Sequence, residues 1–267
     1  MGDFMPSLMI HLTVAKKMIQ KLDLNKKEEQ LFYLGTIMPD SKKYKGSQDD
    51  IEYRKKVQTE KNINHFRKDL NRTLSYPDMN LFLNKYEEES KKDILVFAYL
   101  VHLYTDYYYF KYVLSKKITF YDEDKNKTES KDKASYVMIS KTKEILSTRI
   151  FFGKQNRSSL YKEYERINPY IIEKYNIKLD KYLLKLSKKI DIKVEEIRGT
   201  NINYEIEKLE ELITREKQKE ELKIFDIEEI YNFIDKVFDN IAKEYGYILK
   251  EIKLCYNNKR REDVYAK

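Results

Sequence analysis

Apolar side chains recur at three- and four-residue intervals along most of this chain, the spacing of one helical face rather than of an alternating strand. In MIHLTVAKKMIQKL, residues 9–22, the positions His11, Val14, Ala15, Met18 and Leu22 fall on one stripe. EEQLFYLGTI carries a second helix, expected to stop near Gly35 and Pro39 and to leave Asp40 just past the break. Residues 41–60 are charged and poorly periodic and read as a loop or a short helix. NINHFRKDLNRTL brings in His65, and Pro77 marks a helix start ahead of DMNLFLNKYEEE. The stretch 93–114, DILVFAYLVHLYTDYYYFKYVL, is the most apolar of these segments and the predicted centre of the core.

Beyond it, YDEDKNKTESKDK at 121–133 lacks apolar anchors and reads as a surface excursion. Helical periodicity resumes over 135–151, 158–175, 179–190 and 204–222. A final helix is predicted over 226–252, with Ile227, Ile230, Ile234, Val237, Ile241, Tyr245, Ile248 and Ile252 on one stripe. Its spacing drifts from a strict heptad, which favours packing within the domain over a coiled coil. Dimerisation through it stays open, so both a monomer and a homodimer fit. Only 6 Gly and 4 Pro leave too little turn material for an all-β fold. The expectation is all-α: one helical domain over 1–267, built as a multi-helix bundle.

A hydrophobic fraction of 41% beside a charged fraction of 37% describes a globular protein with a heavily charged surface. The net charge of +8 would suit an anionic partner, but acidic residues are interleaved with the basic ones and no single-sign block appears. Charge alone therefore assigns no nucleic-acid partner. One cysteine, Cys255, excludes an intrachain disulfide. MGDFMPSLMIHLTVAKK lacks a basic region followed by a continuous apolar run. The longest apolar run, ILVFAYLV at 94–101, is far below the ~20 residues of a membrane span. A cytoplasmic protein is expected.

The chemistry-bearing residues are few and sit on apolar faces. All three histidines lie within the first 102 residues. His102 and Asp106 are spaced i, i+4, which places them on one face of the central helix, and His11 occupies the stripe of the first. Ionisable groups on core faces are costly unless paired, hydrogen-bonded or bound to metal. Facing helices that each contribute such a group are how metal sites are built inside bundles. Imidazole with carboxylate suits zinc, iron or manganese. A buried hydrogen-bonded histidine or a plain i, i+4 pair explains any one of these residues equally well. Only the joint placement of His11, Asp40, His65, His102 and Asp106 points to metal.

The order of MPSLMIHLTVAKK, YLGTIMPDS, NHF and YLVHLYTDYYY resembles the bacterial zinc-dependent phospholipase C family, over roughly residues 5–115 and more loosely beyond. The resemblance implies an all-α fold with a metal cluster buried among helices. It implies His11, Asp40, His65, His102 and Asp106 as ligands, with Asp106 bridging two ions and Asp40 a candidate catalytic base. The implied reaction is hydrolysis of a phosphate ester, such as a phospholipid head-group diester, by a metal-activated water. Tyr109 and Phe66 stand beside the motifs as candidate substrate-binding residues, with packing as the competing role for each. Lys42, Lys43, Lys61 and Arg67 are cations in reach of the motifs that the sequence cannot rank.

The chain also departs from the secreted members. No histidine follows His102, so their third zinc site, built from further His and Glu, cannot form with that composition. Two zinc ions, or other divalent transition metals, are the expected complement, and phosphatidylcholine as substrate does not follow. An HD-type phosphohydrolase needs an adjacent His-Asp pair, whereas here Leu12, Phe66 and Leu103 follow the histidines. A zinc-dependent nuclease and a non-catalytic helical scaffold with a structural or degenerate metal site are the alternatives.

Overall fold

The computed structural model describes residues 7–43, 51–153, 156–178, 180, 182–188, 190–214 and 218–265. The chain begins with α1 (Leu8–Leu22), α2 (Lys26–Ile37), a 3-10 turn (Met38–Asp40), α3 (Ile51–Asn64), α4 (Met79–Lys92) and α5 (Ile94–Tyr108). A π-helical turn (Tyr109–Leu114) and α6 (Ser115–Lys117) lead into strands β1 (Ile118–Tyr121), β2 (Tyr136–Ile139) and β3 (Ile145–Ser147). Then come α7 (Thr148–Phe151), α8 (Leu160–Tyr175), α9 (Tyr182–Ser187) and a second 3-10 turn (Glu195–Ile197). The chain continues through α10 (Ile202–Thr214), α11 (Ile227–Glu244) and α12 (Gly246–Tyr265).

Helices dominate, and α5 is their centre. Every residue from Ile94 to Asp106 is buried, as expected of a helix apolar on all sides. Its amino terminus is capped by Asp93, whose side chain accepts from the Leu95 amide at 2.9 Å. Around α5 pack α1, α2, α4 and α11, and buried apolar residues from Met9 to Ile252 form one contiguous cluster. No helix among the described residues is long and apolar enough to cross a membrane.

Gly35 does not end α2. The helix runs through it to Ile37, and Gly35 sits where α2 presses on α5. A Cβ at this position would lie 2.3 Å from the Leu95 carbonyl oxygen and 2.8 Å from the Ala98 Cβ, so only glycine lets the two helices meet this closely. The stop comes at Pro39, whose missing N–H breaks the ladder and whose ring favours the 3-10 turn that carries Asp40.

The all-α expectation is corrected at 135–151. That segment supplies β2 and β3 of a three-stranded antiparallel sheet, order β1-β2-β3, with Ile118 opposite Ile139 and Tyr136 opposite Ser147. Only Thr148–Phe151 is helical. The alternation in YVMI explains it: Val137 and Ile139 are fully buried, while Tyr136 is exposed and Met138 half-buried between them. The excursion at 121–133 is the connection between β1 and β2, pinned to the 69–73 turn by the Thr73 amide on the Glu129 carbonyl and by an Arg72–Glu129 ion pair.

Other boundaries move for local reasons. Within 41–60, α3 begins at Ile51, and residues 44–50 lie outside those described. Pro77 pairs with Arg67 in an isolated bridge, and α4 starts after Asp78, whose side chain caps the Asn80 amide. The segment 93–114 is α-helical to Tyr108 and π-helical after it. Of 179–190 only Tyr182–Ser187 is helical, and of 204–222 helix extends over Ile202–Thr214; positions 179, 181, 189 and 215–217 are outside the described residues. The predicted helix 226–252 is two helices broken at Tyr245, where φ is −111° and ψ 22°. Its stripe of Ile230, Ile234, Val237, Ile241, Ile248 and Ile252 is buried in the chain's own core.

Candidate metal centre

Four elements bring the five sequence-predicted ligands together. The first turn of α1 supplies His11, the 3-10 turn Asp40, the residue after α3 His65, and α5 both His102 and Asp106. All three histidines and Asp106 are wholly buried, and Asp40 is 8% exposed, so its edge is where the cluster meets the surface. His65 Nε2 lies 3.3 Å from His102 Nε2, 3.6 Å from Asp40 Oδ1 and 3.6 Å from Asp106 Oδ2. His102 Nε2 lies 3.8 Å from Asp106 Oδ2. His11 Nε2 approaches the other oxygen of the same carboxylate, 3.2 Å from Oδ1, and its ring stacks on that of His102 at 3.9 Å.

Two backbone carbonyls decide what these nitrogens are. His102 Nδ1 lies 2.8 Å from the carbonyl oxygen of Thr36, and His65 Nδ1 lies 3.0 Å from that of Lys61. Both carbonyls belong to the last turns of their helices, and that of Lys61 also accepts the His65 amide at 2.9 Å. A carbonyl only accepts, so each Nδ1 carries a hydrogen, and Nε2 is the nitrogen each ring has left to offer a metal. Burial first, and then the neighbouring His11, lowers the His102 pKa to about 3, so its ring is neutral at ordinary pH. Burial alone would raise both carboxyls. Lys61 opposes this at Asp40, and at both carboxyls a proton on a facing imidazole would bring the pKa below the usual carboxylate range.

The result is a buried cluster with more acceptors than donors to satisfy them. Both nitrogens of His11, Oδ1 of Asp40 and both oxygens of Asp106 are buried and make no hydrogen bond within the protein. Such groups cost about 1–3 kcal/mol each when left unpaired, and a cation relieves several at once. The spacings agree with that solution. Ligands at zinc distances in a tetrahedron stand about 3.4 Å apart; His65 lies 3.3 to 3.6 Å from His102, Asp40 and Asp106, and His102 3.8 Å from Asp106. Two groups, His11–His102–Asp106 and Asp40–His65–His102, are each compact enough to hold an ion.

The two candidate substrate residues face elsewhere. Tyr109 is fully buried with its hydroxyl 2.9 Å from that of Tyr164, and burial raises the pKa of both phenols well above the usual range. Phe66 packs edge-on against Phe82, Tyr86 and Tyr99 in the core. It adopts φ 49°, a left-handed conformation that turns the chain after His65. The carbonyls of Thr36 and Lys61 had no signal in the sequence, because a backbone acceptor is independent of residue type. No family model, curated protein or solved structure matches this chain.

Proposed function

We propose that this chain is a metal-dependent hydrolase of phosphate esters, of the phospholipase C type its motifs resemble. The observation that carries the reading is the buried cluster. His11, Asp40, His65, His102 and Asp106, far apart in sequence, converge in two overlapping groups of metal-ligating atoms, several of them without a hydrogen-bond partner. Zinc or another divalent transition ion bound there would act as a Lewis acid toward phosphoryl oxygen and bring the pKa of a water near neutrality. His65, His102, Asp40 and Asp106 would hold one ion, and His11 with the second oxygen of Asp106 would contribute to another. Thr36 and Lys61 fix the rings by their carbonyls, so no reorientation is needed when a cation arrives. Asp40, the one ligand of the five with any exposure, would orient an attacking water and take its proton.

A second reading, a metal-holding scaffold without turnover, is favoured by one observation. Four of the five donors are wholly buried, and cavities of about 310 and 430 Å³ are lined by other residues, among them Arg72, Leu74 and Tyr76. Metal analysis of the purified protein, followed by hydrolysis of a generic phosphodiester with and without chelator, separates the two. Bound metal with chelator-sensitive turnover supports the enzyme. Metal without turnover on any phosphate ester supports the scaffold.

A further inference from the structure

Four cations stand near the motifs in sequence, and the structure separates them. Lys43 is exposed and Lys42 half-buried, while the Arg67 guanidinium lies over the Phe110 ring at 5.4 Å. Lys61 instead is 5% exposed, with its Nζ 3.9 Å from Asp40 Oδ1. One turn before His65 on α3, it serves the cluster twice: its carbonyl orients the His65 ring, and its ammonium stands beside the ligand that reaches the surface.

For a site that only stores a cation, this placement is counterproductive. Two like charges within a few ångströms repel strongly in a buried setting, so Lys61 weakens any divalent ion held by Asp40. Two carboxylates and one ammonium sum to a net negative charge, and a single divalent ion makes that sum net positive. A second ion makes it more so. A buried cluster that turns positive on loading calls for an anion, and Asp40, 8% exposed and with Lys61 beside it, is the ligand nearest the surface.

We propose that Lys61 is a substrate-binding residue, whose ammonium grips a non-bridging phosphoryl oxygen at the Asp40 edge of the loaded site. The proposal rests on the phosphate-ester reading above and names the group that recognises the anion. It gives α3 the role of supplying a fixed positive charge where the chain has no further histidine to hold another metal.

The test is titration of inorganic phosphate into zinc-loaded protein by calorimetry, comparing wild type with Lys61→Met and Lys61→Arg. Removing the ammonium should weaken phosphate binding by about 10- to 100-fold, with zinc content unchanged and zinc affinity equal or higher. Arginine, which keeps the charge, should restore most of the loss. Phosphate affinity in Lys61→Met within about threefold of wild type, less than 1 kcal/mol, overturns the proposal, as does loss of zinc from that variant, which would mark Lys61 as a support for Asp40. If Lys61→Met does not fold, a crystal structure of zinc-loaded wild type with phosphate decides. An oxygen within hydrogen-bond distance of Lys61 Nζ sustains the proposal, and phosphate bound away from it overturns it. Zinc uptake with ester turnover but no dependence of phosphate binding on Lys61 defeats this inference alone. A wild-type protein that takes up no zinc or hydrolyses no phosphate ester defeats the reading beneath it.

Discussion

Gly35 of α2 faces Ala98 of α5 so closely that a Cβ at position 35 would stand 2.8 Å from the Ala98 Cβ, and nearer still to the Leu95 carbonyl oxygen. The next residue, Thr36, holds His102 through its carbonyl. Helix packing and ligand orientation are therefore one arrangement. Gly35→Ala would gain helix propensity yet must push the helices apart, and the clash with backbone dominates. A net loss of about 1–3 kcal/mol is expected from overpacking, measured by denaturant unfolding. Because the Thr36–His102 contact opens with it, zinc affinity should fall about 10- to 100-fold. Lost stability with unchanged zinc affinity would show that the glycine serves packing alone.

The two oxygens of Asp106 face different partners, His11 at 3.2 Å and His65 at 3.6 Å. Removing His11 leaves His65, His102, Asp40 and Asp106 in place. His11→Ala should thus retain about one equivalent of zinc of about two, while Asp106→Asn should lose both and abolish hydrolysis. Elemental analysis after gel filtration measures this directly. Wild-type stoichiometry in Asp106→Asn would remove the bridging assignment.

What the sequence revealed follows a physical division. The central helix, His11, His102 and Asp106 were legible because ionisable groups on apolar stripes are conspicuous; Asp40 and His65 lie on no such stripe, and their joining the set is what the resemblance implied. The sheet was not, since YVMI and ILS are too short for a two-residue period to stand out among lysines. The break at Tyr245 was hidden because the apolar stripe continues on the far side, through Ile248 and Ile252. Gly35 reads as a stop and acts as a contact, which only the position of α5 reveals. Lys61 looked like any surface lysine, and its burial depends on Asp40, brought beside it by the chain's course from the 3-10 turn to α3. Phe66 and Tyr109, adjacent to ligands in sequence, turn away because neighbours on a helix or a turn point in different directions.

Glu163 shows a buried carboxylate with a structural duty, and it provides a control. Wholly buried on α8, it accepts from the amides of Lys223, Ile224 and Phe225 at 3.0, 2.7 and 3.0 Å, fastening the segment ahead of α11. Glu163→Ala strands these donors and should cost about 3 kcal/mol. Zinc stoichiometry per folded protein should stay at the wild-type value. Thermal unfolding and metal analysis on the same sample test both halves, and loss of metal at retained fold would tie this carboxylate to the centre.

Asp106 should behave in the opposite way. Both its oxygens are buried without a hydrogen bond, so in metal-free protein the carboxylate is a liability that an amide reduces. Chelator-treated Asp106→Asn should be as stable as wild type or up to about 2 kcal/mol more stable. Added zinc should reverse that order. At a free concentration one hundred times its Kd, it stabilises wild type by about 2.7 kcal/mol per site and leaves the asparagine variant unmoved. Unfolding of the two proteins, with and without zinc, gives the four values needed. A residue kept for the fold would lose stability in both conditions by the same amount. An inversion on adding metal is what a ligand kept at the expense of the empty fold requires, and its absence would return Asp106 to the status of a buried ion-pair partner of His11.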